Sequence, residues 1–170
     1  MDHSLVDADV RTTLEAYKKA VATAPDAGAA FQIAEQTAAQ LIGHQLFTIM
    51  AFHAETMEVE RCYSNNPDKY PTGGRKQKRD TAWGRHVLEQ GKHYIGYNAD
   101  DIRHSFDDHA VIHELGLESV LNMPIKEDGR PVGTMNLLEK AGYYHEEQVD
   151  IAREIANTLA SVLRNRTPRQ

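Results

Sequence analysis

The densest run of groups able to move protons or bind metal lies between Asp100 and Glu114, where Asp100, Asp101, His104, Asp107, Asp108, His109 and His113 fall within one short stretch. A histidine beside a carboxylate is an acid–base pair that works near neutral pH. His104 with Asp101, or His109 with Asp108, fits that description, so a small lyase or hydrolase is one reading of the chain. His109 and His113 stand four apart and share a face if the segment is helical, which makes them a candidate pair for zinc or iron with an acidic third ligand. They do not form the H-E-x-x-H arrangement of zinc proteases, because Ala110 follows His109. The alternative is a solvated polar helix face carrying one partly buried histidine.

A second chemistry is anion binding. Gly73 and Gly74 lead into Arg75, Lys76, Lys78 and Arg79, just ahead of a helix start at Asp80 or Thr81. Exposed N–H groups at a helix start and nearby cations favour a carboxylate or phosphate, which Arg75 can clamp with two parallel bonds. A solvated charged loop is the plainer reading. Thr48, Asn122, Thr134 and Asn136 interrupt otherwise apolar runs. Asparagine is depleted in strands, and a buried amide without a partner costs about 1–3 kcal/mol. The two Asn therefore need partners, either a ligand over a polar pocket floor or nearby loop backbone. Tyr63, Tyr70, Trp83, Tyr94 and Tyr97 surround this region and can wall a pocket, or simply pack. Cys62 reads as a redox-sensing thiol beside Arg61 or as a small packing residue.

Other chemistries lack their residues. There is no G-x-S-x-G, P-loop or G-x-G-x-x-G sequence, so serine hydrolase, NTPase and dinucleotide readings have no support. A single cysteine forms neither an internal disulfide nor a cysteine-rich zinc site and suggests a reducing compartment, which places the protein in the cytoplasm. A net charge of -6 argues against nucleic acid and anionic membranes as partners. No apolar run is long enough to span a membrane, and the acidic N-terminus lacks the pattern of a signal peptide. With 41% hydrophobic and 26% charged residues in a chain of 170, a single domain over residues 1–170 with an ordinary core is expected.

Apolar spacing sets out the elements that must hold these groups. Asp7 to Ala24 reads as a helix on Val10, Leu14, Tyr17 and Val21, broken at Pro25. Ala29 to Ile42 is a second helix, ended by Gly43. Leu46 to Phe52 is a strand buried on both faces, and Met57 to Tyr63 alternates as a half-exposed one. Ser64 to Asp80 reads as a long irregular segment, followed by a helix through Trp83, Val87 and Leu88 that closes at Gly91. His93 to Ile95 is a short strand, and Asn98 to Leu115 holds two short helices. Ser119 to Ile125 and Pro131 to Leu138 are strands joined at Asp128-Gly129, the strongest hairpin signal in the chain. Glu146 to Leu163 is the last helix. Hairpins imply an antiparallel sheet, so the class is α+β.

This order and its motifs resemble the GAF domain. Leu115 to Ile125 looks like the GAF "G-x-x-S-x-L-x-x-P" strand, Asp128 to Leu138 like its "G-x-x-[IV]-G-x-[LM]-x-L" strand, and Tyr144 to Ala156 like its closing helix. Thr81 to Gly91 resembles the "G-x-x-x-x-V-x-x-x-G" helix. The match covers about residues 25–165. It implies a twisted antiparallel sheet of five or six strands, with the terminal helices on one face. Middle helices and loops would cover a pocket on the other. The N-terminal helix would pack on the domain or on a partner subunit.

The resemblance further implies a small-molecule sensor, here as a stand-alone GAF protein, and a homodimer through amphipathic terminal helices. The cyclic-nucleotide signature of some GAF domains is absent, and Cys62 stands in the wrong place for the bilin attachment of phytochromes. Free methionine-(R)-sulfoxide reductases resolve their chemistry through a second cysteine, which this chain lacks.

The expectation is therefore a cytoplasmic domain that binds a small, anionic metabolite. The ligand lies between a floor of Asn122, Thr134 and Asn136 and a lid from Tyr63 to His109. Tyr63, Tyr70, Trp83, Tyr97, Asp101, His104 and His109 line it, and Arg75 and Thr81 meet its negative group. No cofactor is identified. A ligand-free dimeric interaction module is the third reading, favoured if the pocket is filled by its own side chains.

Overall fold

The computed structural model describes residues 3–166, so the first two residues of the acidic N-terminus and residues 167–170 lie outside the described part of the 1–170 span. Two helices open the chain, α1 (His3–Ala22) and α2 (Ala27–Leu41). Asp26 caps α2, its side chain accepting the Ala29 N–H at 2.8 Å. Then come β1 (Leu46–His53), β2 (Glu58–Ser64) and a short β3 (Arg75–Gln77). A helical turn over Gly84–Glu89 leads to β4 (Tyr94–Gly96), α3 (Ala99–Ser105) and α4 (His109–Glu114). The hairpin of β5 (Ser119–Glu127) and β6 (Arg130–Glu139) follows, with Asp128 and Gly129 at φ of +52° and +79° as its turn requires. Helices α5 (Val149–Thr158) and α6 (Ala160–Asn165) end the described chain.

All six strands form one antiparallel sheet in the order β3-β2-β1-β6-β5-β4. The terminal helices cover one face. There Leu14 and Tyr17 of α1, Phe31 and Ala34 of α2, and Ala152 and Ile155 of α5 pack on Phe47, Ile49, Leu121, Met123, Met135 and Leu137. The Tyr17 hydroxyl ties α1 to α5 by donating to the Ile155 carbonyl at 2.6 Å. The α+β class and the six-stranded GAF-like architecture expected above are the observed ones.

The structure corrects three local expectations. The segment 64–80 is not wholly irregular, because Arg75–Gln77 adds an edge strand to β2. The turn after Thr81 is wider than an α-helix, with the Gln90 N–H reaching back five residues to the Arg85 carbonyl at 2.9 Å. The closing helix is two, broken at Leu159.

At the β2 edge the helix face carries a charged cluster. Glu60 is 6% exposed and accepts from Arg166 at 3.1 Å, with the His53 imidazole at 2.9 Å and Arg75 at 3.7 Å. Burial alone raises the Glu60 pKa, but His53 and Arg166 outweigh it and hold the carboxyl below its ordinary range. A depressed folded-state pKa contributes stability above the unfolded value and loses it as pH falls through the folded one. Glu60→Gln is therefore expected to melt below the parent protein at neutral pH. The gap should close on acidification below about pH 4. Melting curves across that range check this, and a gap independent of pH would sink it.

Candidate functional site

The other face of the sheet carries a small cavity of about 90 Å³. Alternation along the strands places Leu46, Thr48 and Met50 of β1, Val120 and Asn122 of β5, and Asn136 and Leu138 of β6 on its floor. Phe106 and Ile112, from the α3–α4 segment, close one side, and Trp83 another. The remaining wall is polar: Arg61 of β2, Tyr70 from the long connection, Lys76 of β3, Lys78 and Asp108.

The floor is a hydrogen-bonded ladder. The Trp83 indole N–H donates to Asn122 Oδ1 at 3.0 Å. The Asn122 amide donates to Asn136 Oδ1 at 2.8 Å. The Asn136 amide donates to the hydroxyls of Thr134 at 3.1 Å and Thr48 at 3.2 Å. Thr48, Asn122, Thr134 and Asn136 are all buried. The two amides thus find partners, as their strand positions demand, but the partners are each other, two threonines and the lid tryptophan.

Arg61 is the residue that sequence reasoning passed over. Its guanidinium sits 4.8 Å from the centre of the Tyr70 ring, and one nitrogen donates to the Pro71 carbonyl at 3.0 Å. Its Nε is buried without a hydrogen-bond partner, and so is the Tyr70 hydroxyl. Burial lowers the Arg61 pKa, while the Asp108 carboxylate works against that. Burial and then Asp108 raise the Tyr70 pKa, so its hydroxyl keeps its proton at neutral pH. Burial and Lys76 lower the Lys78 pKa. The Lys78 ammonium lies 5.3 Å from the Trp83 ring centre.

Of the residues expected to line the pocket, Tyr70, Trp83, Asn122 and Asn136 do so, and Thr134 supports the floor from beside Asn136 on the same face. Tyr63 lies on the opposite face, against Phe31 and Phe47, with its hydroxyl donating to Glu35. The cause is a bulge. Met50 pairs with Arg61 but Ile49 pairs with Tyr63, so Cys62 is an extra residue and the side-chain alternation resets there. Arg75 pairs with Glu60 and turns with it to the helix side, within 3.7 Å of Glu58 and Glu60. Its neighbour Lys76 takes the cavity side. Thr81 holds the lid turn, its hydroxyl accepting the Gly84 N–H at 2.9 Å and donating to the Lys78 carbonyl at 2.8 Å.

The acid–base candidates do not assemble. Asp101 accepts the Tyr97 N–H at 2.8 Å, and Tyr97 is exposed outside the cavity. His104 is exposed on α3. His109 and His113 line a separate pocket with Ile102 and Leu117. Among the described residues no group of three His, Cys, Asp or Glu side chains is placed to hold a metal ion. Asp108 alone of the acid–base candidates reaches the main cavity. No described helix is long and apolar enough to cross a membrane.

A family model described as "GAF domain" matches residues 24–164. Among solved structures, the GAF domain of an Acinetobacter phosphoenolpyruvate-protein phosphotransferase superposes with a TM-score of 0.72 at 13% identity, covering 96% of this chain and 95% of that one. The corresponding Coxiella burnetii domain gives 0.76 at 15% identity, covering 91% and 92%. The free methionine-R-sulfoxide reductase of Neisseria meningitidis, in complex with its substrate, gives 0.67 at 16%, covering 91% and 88%. No curated protein matches the sequence. At these identities the solved structures establish the fold.

Proposed function

We propose, from the premise that the chain belongs to the GAF domain family, that it binds a small anionic metabolite in the cavity over the β1–β6–β5 floor. The family is known for small-molecule binding and signalling. The observation that carries the anionic reading is Arg61, a guanidinium with a buried, unpartnered Nε on a cavity wall shared with Lys76 and Lys78. A half-buried cation without a full set of partners is stabilised by an incoming anion. The lid is tied to the floor through Trp83, so an anion beneath it is partly shielded from water, which strengthens charge interactions.

The enzyme reading has less support, because His104 and His109 stand outside the cavity. The ligand-free module has less support too, because the cavity is not filled by its own side chains. A sensor of this kind would work in the cytoplasm as a single-domain homodimer, an assembly that light scattering on a size-exclusion column reads directly.

The test of the binding reading is a thermal-shift screen of small carboxylates, phosphates and sulfonates, with native mass spectrometry of the purified protein. Anions are expected to raise the melting temperature, and Arg61→Gln to remove that response. Stabilisation by neutral compounds alone, or a response unchanged in Arg61→Gln, would count against it.

A further inference from the structure

We propose that the ligand is a small monocarboxylate with an apolar body, its carboxylate directed to the cavity wall that Arg61 and Tyr70 form. This rests on the anion-binding reading and narrows it to one chemical class. The first support is a pair of unmet donors. Among the described residues three buried side-chain polar atoms lack a hydrogen-bond partner, and two of them, Arg61 Nε and the Tyr70 hydroxyl, belong to this one cavity. The third, His44 Nδ1, is on the helix side of the sheet, where the ring packs on Phe47. The Arg61 guanidinium lies 4.8 Å from the Tyr70 ring centre, so both donors belong to one wall, and a carboxylate has an oxygen for each.

The second support is charge. Arg61, Lys76 and Lys78 face Asp108, and Asp107 pairs with Lys76 at 3.6 Å, so three cations less two carboxylates leave one positive charge. A monoanion balances that charge. A phosphate dianion exceeds it, and a zwitterionic amino acid brings no net charge to it.

The third support is the rest of the surface. Leu46, Val59, Phe106, Ile112, Val120 and Leu138 are hydrocarbon, and the polar floor is already paired within its own ladder. A sugar acid or nucleotide would bury hydroxyls there without partners, at a cost. The cavity, about 90 Å³, suits a short branched or aromatic acid. Asp108 opposes the ligand's charge and limits its affinity.

The experiment titrates the full chain with 3-methylbutanoate and benzoate, their primary amides, inorganic phosphate and leucine. Calorimetry and the fluorescence of Trp83, the chain's one tryptophan, report binding. At least one acid is expected to bind about tenfold or more tightly than its amide, phosphate or leucine, as loss of a charged hydrogen-bonded contact implies. Tyr70→Phe removes a hydroxyl that the Asp108 carboxylate attracts, so it should weaken the acid about tenfold while lowering the melting temperature by no more than about 4 °C. Asp108→Asn should tighten the acid.

Phosphate bound in preference to both acids would overturn the monocarboxylate and leave the anion reading standing. Amides bound as tightly as acids would overturn both. Leucine bound best, and lost in Asp108→Asn, would replace the monocarboxylate with an amino acid. No response to either acid at millimolar concentration would overturn the monocarboxylate, and the broader anion screen would then decide the parent reading.

Discussion

Asn136→Ala is expected to melt about 10 °C below the parent protein, a loss of about 3–4 kcal/mol for a chain of this size. Asn136 is 3% exposed and sits at the centre of the floor ladder. Truncation strands the Asn122 amide, which donates to Asn136 at 2.8 Å, and takes away the donor that Thr48 and Thr134 accept. It also opens a void in a packed sheet face, and a stranded buried donor costs more than the bond it made. Because Asn122 in turn holds the Trp83 indole, the Trp83 emission should shift to the red as the lid loosens. Chemical denaturation and emission spectra check both. The paired variant Asn122→Leu with Asn136→Leu removes both amides of that bond together and should lose less than the sum of the single changes. A melting point within about 2 °C of the parent would show that the ladder does not hold the floor.

Gly84→Ala is expected to cost about 2–3 kcal/mol, as forced overpacking of a tight site does. A Cβ at Gly84 would stand 2.4 Å from the Lys78 carbonyl oxygen and 2.7 Å from the Thr81 hydroxyl that caps the turn. The first is backbone and cannot swing aside. The lid turn must move, carrying with it Trp83 and the chain that bears Lys78, so anion binding should weaken along with stability. Gly74→Ala provides the contrast, because a Cβ there would meet nothing within 4 Å. It should leave the melting temperature unchanged. Equal effects at the two glycines would remove the close-approach argument.

Much of the architecture is legible in the chain itself. Val120, Asn122 and Pro124 read as one side of a strand, and Thr134 and Asn136 as one side of another; the sheet brings these sides together, with Asn122 opposite Asn136. Period-2 alternation is a local property and can be read from spacing; the register cannot, because a bulge at Val132 shifts by one residue the pairing that the Asp128-Gly129 turn starts, and only that shift puts Asn122 opposite Asn136. The demand that the two amides be paired can also be read, because burial of an amide carries that cost wherever the partner comes from. The partner itself cannot. Trp83 lies 39 residues from Asn122 in sequence, and nothing in its neighbours marks it as a donor to that amide.

Arg61 escapes a sequence reading for a related reason. In Glu58-Val59-Glu60-Arg61 it reads as one more charged residue on a half-exposed strand. Only the packing of Tyr70 and the α3–α4 segment over β2 half-buries it and leaves its Nε without a partner. The signal that could have found it is parity: Arg61 shares its side of β2 with Val59, which also lines the cavity.

By itself, then, the sequence determined the class of fold, the terminal helices, the central hairpin and which polar residues share a strand face, because each follows from spacing along a few residues. The tertiary structure alone decided which charges meet across the cavity. The Cys62 bulge sends Tyr63 to one face and leaves Arg61 on the other, and β3 pairing turns Arg75 away while Lys76 faces in. A one-residue shift in strand register reverses every side chain beyond it, and that shift is set by the partner strand rather than by the residues that undergo it.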